Sequence, residues 1–205
     1  MNSRVAKAKV PYNSRKWRIV PAMLIGLRVA LGPLLYTASS SRAPGPCIAT
    51  VLVVALLSDI FDGVIARKVG VATEKLRVSD SWADFWFYMW VCASVWVGDR
   101  DIIIAFRAPL LTLAAMDACS YGIDIIKYRR IASFHAYTAK LWGITLFIAT
   151  VALLVFHTGG DYLWLAIIAG IVSNLDALII KLLLPTWQHD IPSSWHAWRM
   201  IRKSP

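Results

Sequence analysis

Long apolar stretches follow one another along most of the chain, and short polar or turn-forming segments separate them. A helix needs about 20 predominantly apolar residues to cross about 30 Å of hydrocarbon, and several of these stretches approach that length. They predict six membrane-spanning helices, over residues 19–38, 46–66, 81–98, 102–122, 137–157 and 162–184. Because the intervening breaks are short and rich in Gly, Pro and charged residues, the pattern predicts an all-α integral membrane protein with six helices in one bundle.

Two flanking segments differ from this central domain of residues 19–184. Residues 1–18 are basic, and we expect them to form a short juxtamembrane helix. Residues 185–205 combine basic residues with tryptophans, which is typical of a tail that lies at the membrane interface. Neither segment is apolar enough to add a further membrane span.

Composition and charge support a bilayer location and predict an orientation. Of the 205 residues, 58% are hydrophobic and 17% are charged, and the mean hydropathy is +0.58, high for a soluble domain. The formal charge of +10 does not indicate a nucleic-acid partner, because Lys and Arg also accumulate in cytoplasmic loops beside anionic lipid. Sixteen Lys and Arg residues lie on the side of both termini, against only Arg42 and Arg100 on the other. Both termini are therefore predicted to be cytoplasmic.

Two pairs of aspartates lie near the cytoplasmic ends of the second and third predicted helices. Asp59 and Asp62 are three residues apart and Asp80 and Asp84 are four apart, so each pair shares one helix face. Two such faces can converge on a hard cation such as Mg²⁺ or Mn²⁺, which prefers oxygen ligands. Carboxylates at membrane depth are costly and indicate a functional site. The competing interpretation is that these residues are helix caps or solvated helix ends, where Asp is common.

The stretch from Asp59 to Asp84 resembles the motif of the CDP-alcohol phosphotransferases, DxxDGxxAR followed after eight residues by GxxxDxxxD. Seven residues match in identity and spacing: Asp59, Asp62, Gly63, Ala66, Arg67, Asp80 and Asp84. Thr73 lies where family members often have Thr or Ser, whereas Leu76 replaces the second glycine of the motif. The first predicted helix is similar to the family's PNxLTxxRxxxxP pattern, with matches at Pro21, Leu24, Arg28 and Pro33.

The resemblance implies the chemistry of the site. Two divalent ions, Mg²⁺ or Mn²⁺, would be bound by the four aspartates, Asp59, Asp62, Asp80 and Asp84, and Asp84 would also act as the general base. The nucleotide would be bound by Asp62, Gly63, Ala66, Arg67 and Thr73. The resemblance further implies a polar active-site cavity on the cytoplasmic side, a homodimer in the bacterial inner membrane, and transfer of a phosphoalcohol group from a CDP-linked donor, CDP-diacylglycerol, with release of CMP.

Five basic residues are candidates for binding a phosphorylated acceptor alcohol: Arg28, Arg107, Lys127, Arg129 and Lys140. Charge-assisted hydrogen bonds from such side chains suit a phosphate group. For Arg107 the alternative is that the side chain snorkels to the outer surface, and for Lys127 and Arg129 it is contact with anionic lipid. The basic residues favour glycerol 3-phosphate as the acceptor and inositol phosphate as the second choice. Serine, or a soluble CDP-alcohol donor with a lipid acceptor, stays open.

Two other classes of protein are compatible with intramembrane carboxylates. A metal or solute transporter uses such residues to line a path across the bilayer, but here all four aspartates crowd one end of the predicted bundle. A catalytically silent member of the family, acting as a membrane partner, is the other alternative, and Leu76 is its only hint in the sequence. The retention of all four aspartates favours an enzyme.

Overall fold

The computed structural model describes residues 19–71, 73–128, 137–184 and 193–203. Helices are the only regular secondary structure in these ranges, which confirms the predicted all-α class. The eight described helices are α1 (Val20–Ser40), α2 (Gly45–Val69), α3 (Glu74–Gly98), α4 (Arg100–Ala105), α5 (Arg107–Tyr128), α6 (Tyr137–Phe156), α7 (Gly160–Leu183) and α8 (Ser194–Lys203). The predicted N-terminal juxtamembrane helix lies outside the described residues.

Five of the described helices, α1, α2, α5, α6 and α7, are long and apolar enough to cross a membrane. Many of their large apolar side chains point outward, including Leu111, Ile126 and Ile168, which is the arrangement expected of helices that face lipid rather than water. The third predicted span corresponds to α3, which is 25 residues long but includes aspartates and several tryptophans and is not among the five. A sixth crossing helix therefore stays a prediction.

The fourth predicted span was placed too early in the chain. The sequence pattern predicted one helix over 102–122, whereas the structure has the six-residue α4 followed by α5, which continues to Tyr128. A bend at Phe106, whose backbone N–H bonds back to the Ile102 carbonyl, closes α4. Arg107 is consequently the exposed first residue of α5, whereas the predicted span had placed it several residues inside the helix. Lys127 belongs to the last turn of α5.

Residues 1–94 form one of two compact units. Within its described part, α1 packs against α2, and α1 also contacts α3 through a row of side chains. Trp86 donates its indole N–H to the carbonyl of Val29 at 3.2 Å. One turn further along, Gly32 faces the ring of Trp90, where a Cβ would come within 2.5 Å of Cδ1. The absence of a side chain at Gly32 therefore permits the close approach of α1 and α3.

Residues 95–205 form the second unit, in which α7 packs against α5, α6 and α8. Small and aliphatic side chains, among them Ala149, Leu153 and Ile167, are buried in it. Asp176 on α7 links three helices, because its carboxylate accepts hydrogen bonds from the Thr138 hydroxyl on α6 and from the backbone N–H of Ser194 at the start of α8, both at 3.0 Å. This junction fixes where the amphipathic α8 begins.

Candidate active site

The two aspartate pairs are carried by consecutive helices joined by a tight turn. Helix α2 ends at Val69 and is capped by Gly70, which adopts a left-handed φ of +73° that a glycine accommodates without strain. Helix α3 then begins after Thr73, whose hydroxyl accepts a hydrogen bond from the backbone N–H of Leu76 at 3.3 Å, the geometry of an N-cap. The short connection brings the end of α2 back beside the start of α3, so the two pairs can meet.

None of the four aspartates caps a helix. Asp59 and Asp62 lie inside α2, and Asp80 and Asp84 lie beyond the first turn of α3. Their side chains leave the helices toward one another instead of folding back on the backbone, which removes the interpretation that they are helix caps. Asp62 is buried and the other three are partly exposed.

Three of the aspartates converge tightly enough to bind metal. One carboxylate oxygen from each of Asp59, Asp62 and Asp80 lies within 4.8 Å of the others. Mg²⁺ binds oxygen at about 2.0–2.1 Å and paired catalytic ions lie about 3.5–4 Å apart, so these oxygens can reach one ion or a pair of ions. An all-carboxylate donor set is the chemistry that Mg²⁺ and Mn²⁺ prefer, and the residues therefore fit such an ion.

Arg28 on α1 contacts all four aspartates. Its Nη1 atom lies 3.0 Å from a carboxylate oxygen of Asp59 and 2.9 Å from one of Asp80, and it also contacts Asp84, while Nη2 contacts Asp62. The side chain is only 2% exposed. Because four carboxylates surround one guanidinium, the cluster keeps a formal charge of −3 when all are ionised, which leaves it strongly attractive to further cations.

The residues predicted to bind nucleotide lie along the same end of α2 and in the turn after it. The Arg67 guanidinium passes over Gly63, since a Cβ at Gly63 would lie 3.6 Å from its Nη1 atom. Ala66 is buried and Arg67 is exposed. Thr73 is engaged through its hydroxyl in the cap of α3. Leu76 continues the first turn of α3, where a glycine would favour the helix less.

The candidate acceptor residues other than Arg28 belong to the second unit. Lys127 donates a hydrogen bond to the backbone carbonyl of Lys181. Lys140 is exposed, and its Nζ lies 5.8 Å from the ring centre of Tyr137. Arg107 is exposed at the start of α5, and Arg129 lies outside the described residues. Of the candidate acceptor residues, the structure thus brings Arg28 to the aspartates.

A buried ion pair between α5 and α7 was not predicted from the sequence. Lys181 bonds to Asp124 at 2.9 Å and also donates to the hydroxyl and carbonyl of Ser120. Lys181 is 4% exposed and Asp124 is 1% exposed. The available signal was the presence of opposite charges within two apolar segments, because an unpaired charge at that depth is costly. Sequence spacing alone does not reveal that the two residues face each other.

Comparison with known proteins identifies the family to which this arrangement belongs. A family model described as CDP-alcohol phosphatidyltransferase matches residues 18–188, which include Arg28, the four aspartates and all five membrane-capable helices. No curated protein and no solved structure matches the chain. Members of the family transfer a phosphatidyl group from a CDP-alcohol to another alcohol in phospholipid synthesis, and they generally depend on a divalent metal. The chain belongs to the CDP-alcohol phosphatidyltransferase family of membrane transferases.

Proposed function

We propose that this chain transfers the phosphatidyl group of CDP-diacylglycerol to a hydroxyl of a small phosphorylated acceptor, with release of CMP. Glycerol 3-phosphate is the first candidate for the acceptor and inositol phosphate the second. The observation that carries the proposal is the convergence of the motif aspartates, three of which place carboxylate oxygens within 4.8 Å of one another at the end of α2 and the start of α3.

Asp59, Asp62 and Asp80 would hold the divalent metal, Mg²⁺ or Mn²⁺, as two ions, with Asp84 near enough to contribute. When bound, the metal neutralises the pyrophosphate of the donor and stabilises the charge that develops on the departing CMP. The carboxylates fix where the pyrophosphate binds. Their partial burial strengthens that electrostatic interaction, because charges are screened less away from water.

Asp84 would act as the general base. It lies one turn after Asp80 on α3 and outside the group of three whose oxygens converge, so it is the carboxylate best placed to accept a proton. The acceptor oxygen attacks the phosphorus that bears the diacylglycerol, the bond from that phosphorus to the CMP oxygen breaks, and Asp84 takes the hydroxyl proton. CMP leaves with the electron pair of the broken bond.

Arg67 and the backbone beside Gly63 would contact the nucleotide, together with Asp62, Ala66 and Thr73. The exposed Arg67 guanidinium, which lies over Gly63, would donate charge-assisted hydrogen bonds to a phosphate of the nucleotide. Lys127 and Lys140 would help bind the acceptor phosphate, with Arg129 as a further candidate. Arg107 begins α5, about 30 Å along the helix from Lys127, so these two residues would not bind the same phosphate. These cations would favour a phosphorylated alcohol over a neutral one.

We further propose six membrane spans, with α3 as the third, and cytoplasmic termini. The excess of Lys and Arg on one side supports this orientation, which suits a reaction between a lipid donor held in the bilayer and a soluble acceptor. The family resemblance favours a location in a bacterial inner membrane and assembly as a homodimer.

The decisive experiment measures CMP release by the purified protein in detergent with CDP-diacylglycerol, Mg²⁺ or Mn²⁺, and a panel of acceptors. We expect metal-dependent release with a phosphorylated polyol and none in EDTA. Asp84→Asn should lower turnover by about 10²–10⁴-fold, the usual contribution of a general base, while binding of the CDP donor largely persists. Asp101→Asn, on the exposed short helix α4, is the matched control and should retain activity. A folded wild-type protein that releases no CMP with any acceptor would refute the proposal.

A further inference from the structure

The position of Arg28 resembles that of a metal ion more than that of an ordinary ion-pair partner. Its Nη1 atom has two hydrogens, yet carboxylate oxygens from three aspartates surround it, two of them at 2.9 and 3.0 Å. The hydrogens are donated to Asp80 and Asp84, so the contact with Asp59 is an ion pair alone. At Nη1, three carboxylates thus compete for two hydrogen-bond donors.

The same carboxylates form the metal site. A divalent ion that ligates Asp59, Asp62 and Asp80 together has to lie between them, and the guanidinium of Arg28 contacts all three. Ligand distances of about 2.0–2.1 Å for Mg²⁺ are shorter than the contacts that Nη1 makes with Asp59 and Asp80. An ion ligated by these three carboxylates would therefore lie close to the guanidinium that contacts all three, and two cations so close repel each other.

We infer that Arg28 is a built-in competitor for the divalent metal: its guanidinium stabilises the aspartate cluster without metal and has to withdraw from the carboxylates when metal binds. This inference rests on the proposed metal-dependent function. It assigns Arg28 a role in setting metal affinity, which differs from the acceptor-binding role predicted from the sequence.

Two features make the withdrawal feasible. The buried Nε atom of Arg28 has no hydrogen-bond partner in the described part of the chain, so the guanidinium is incompletely satisfied where it lies. The formal charges also favour exchange. Four carboxylates and one arginine leave a charge of −3 that attracts a divalent ion, and two such ions neutralise the four carboxylates and remove the attraction for the guanidinium.

The test compares wild type with Arg28→Gln, which removes the charge, and Arg28→Lys, which keeps a charge without the guanidinium fork. Arg42→Gln, an exposed position in the segment after α1, is the control. Mn²⁺ binding is measured without substrate by the electron paramagnetic resonance signal of free Mn²⁺, and thermal unfolding is followed in EDTA and in Mn²⁺. Neither readout depends on turnover.

We expect Arg28→Gln to bind Mn²⁺ about tenfold more tightly or better, the effect of removing one charge-assisted competitor. Its unfolding temperature should fall in EDTA and rise more on adding Mn²⁺ than that of wild type, while Arg42→Gln matches wild type in both readouts. Arg28→Lys should bind Mn²⁺ with an affinity between those of wild type and Arg28→Gln. If Arg28→Gln does not fold, the Mn²⁺ affinity of Arg28→Lys relative to wild type tests the inference.

Unchanged or weaker Mn²⁺ binding by both Arg28 variants would overturn the inference while leaving the proposed function intact. Folded wild-type protein and folded Arg28 variants that all bind no Mn²⁺ would instead overturn the metal site itself, and with it the proposed function. The two failures are therefore distinguishable from the same set of measurements.

Discussion

Replacing Gly32 with alanine tests how closely α1 has to approach α3. A Cβ at this position would lie 2.5 Å from Cδ1 and 3.0 Å from Cγ of Trp90, whereas ordinary van der Waals contact begins at 3.4 Å. Trp90 is itself held in place, with its ring 5.4 Å from Tyr36 and 5.7 Å from Trp86. Either the indole or the helix must therefore move by almost 1 Å.

The magnitude follows from two opposing terms. Overpacking of this kind costs about 1–3 kcal/mol, while replacing a helical glycine with alanine contributes about 0.8–1.0 kcal/mol of stability. Gly26→Ala on the same helix is the matched control, because a Cβ there meets nothing within 4 Å. Gly26→Ala should therefore show only the gain in helix propensity. The free energies of unfolding of the two variants should differ by the overpacking cost, about 1–3 kcal/mol, or about 5- to 150-fold in the unfolding equilibrium.

The assay is reversible unfolding in mixed detergent micelles, combined with metal-dependent CMP release. Gly32 lies one helical turn after Arg28 and on the same face, so a displaced α1 should also disturb the contacts of Arg28 with Asp80 and Asp84, and with them the apparent metal affinity. Equal stability of Gly32→Ala and Gly26→Ala would refute the close packing of α1 against α3.

Two further predictions concern stability. Lys181→Met leaves the carboxylate of Asp124 buried without its cation and should lower the free energy of unfolding by about 3–5 kcal/mol, whereas Lys181→Met combined with Asp124→Leu should recover most of that loss; a single variant as stable as wild type would contradict the ion pair. Thr73→Ala removes the N-cap of α3 and should cost about 1 kcal/mol, while Thr73→Ser retains it, so equal unfolding midpoints for these two variants would show that the hydroxyl does not cap the helix.

Local patterns in the sequence predicted much of the fold and the principal residues of the site. The apolar stretches predicted the helical class, and spacings of three and four placed each aspartate pair on one helix face, because helix periodicity is a property of neighbouring residues. The same patterns misplaced the fourth helix, since only one charged residue, Arg107, separates the apolar residues of 102–106 from the apolar residues of α5. Pro109, in the first turn of α5, was the available signal that a new helix begins there.

The sequence by itself determined that this is a helical membrane protein with four carboxylates in the motif of a phosphatidyl-transferring family. Only the tertiary structure decided which groups those carboxylates meet. Arg28 is 31 residues from Asp59 and 56 from Asp84 along the chain, and Lys181 is 57 residues from Asp124. Such partners are determined by which helix faces pack together and by the cost of leaving a buried charge unpaired. The spacing of residues within one helix indicates neither the packing nor the partner.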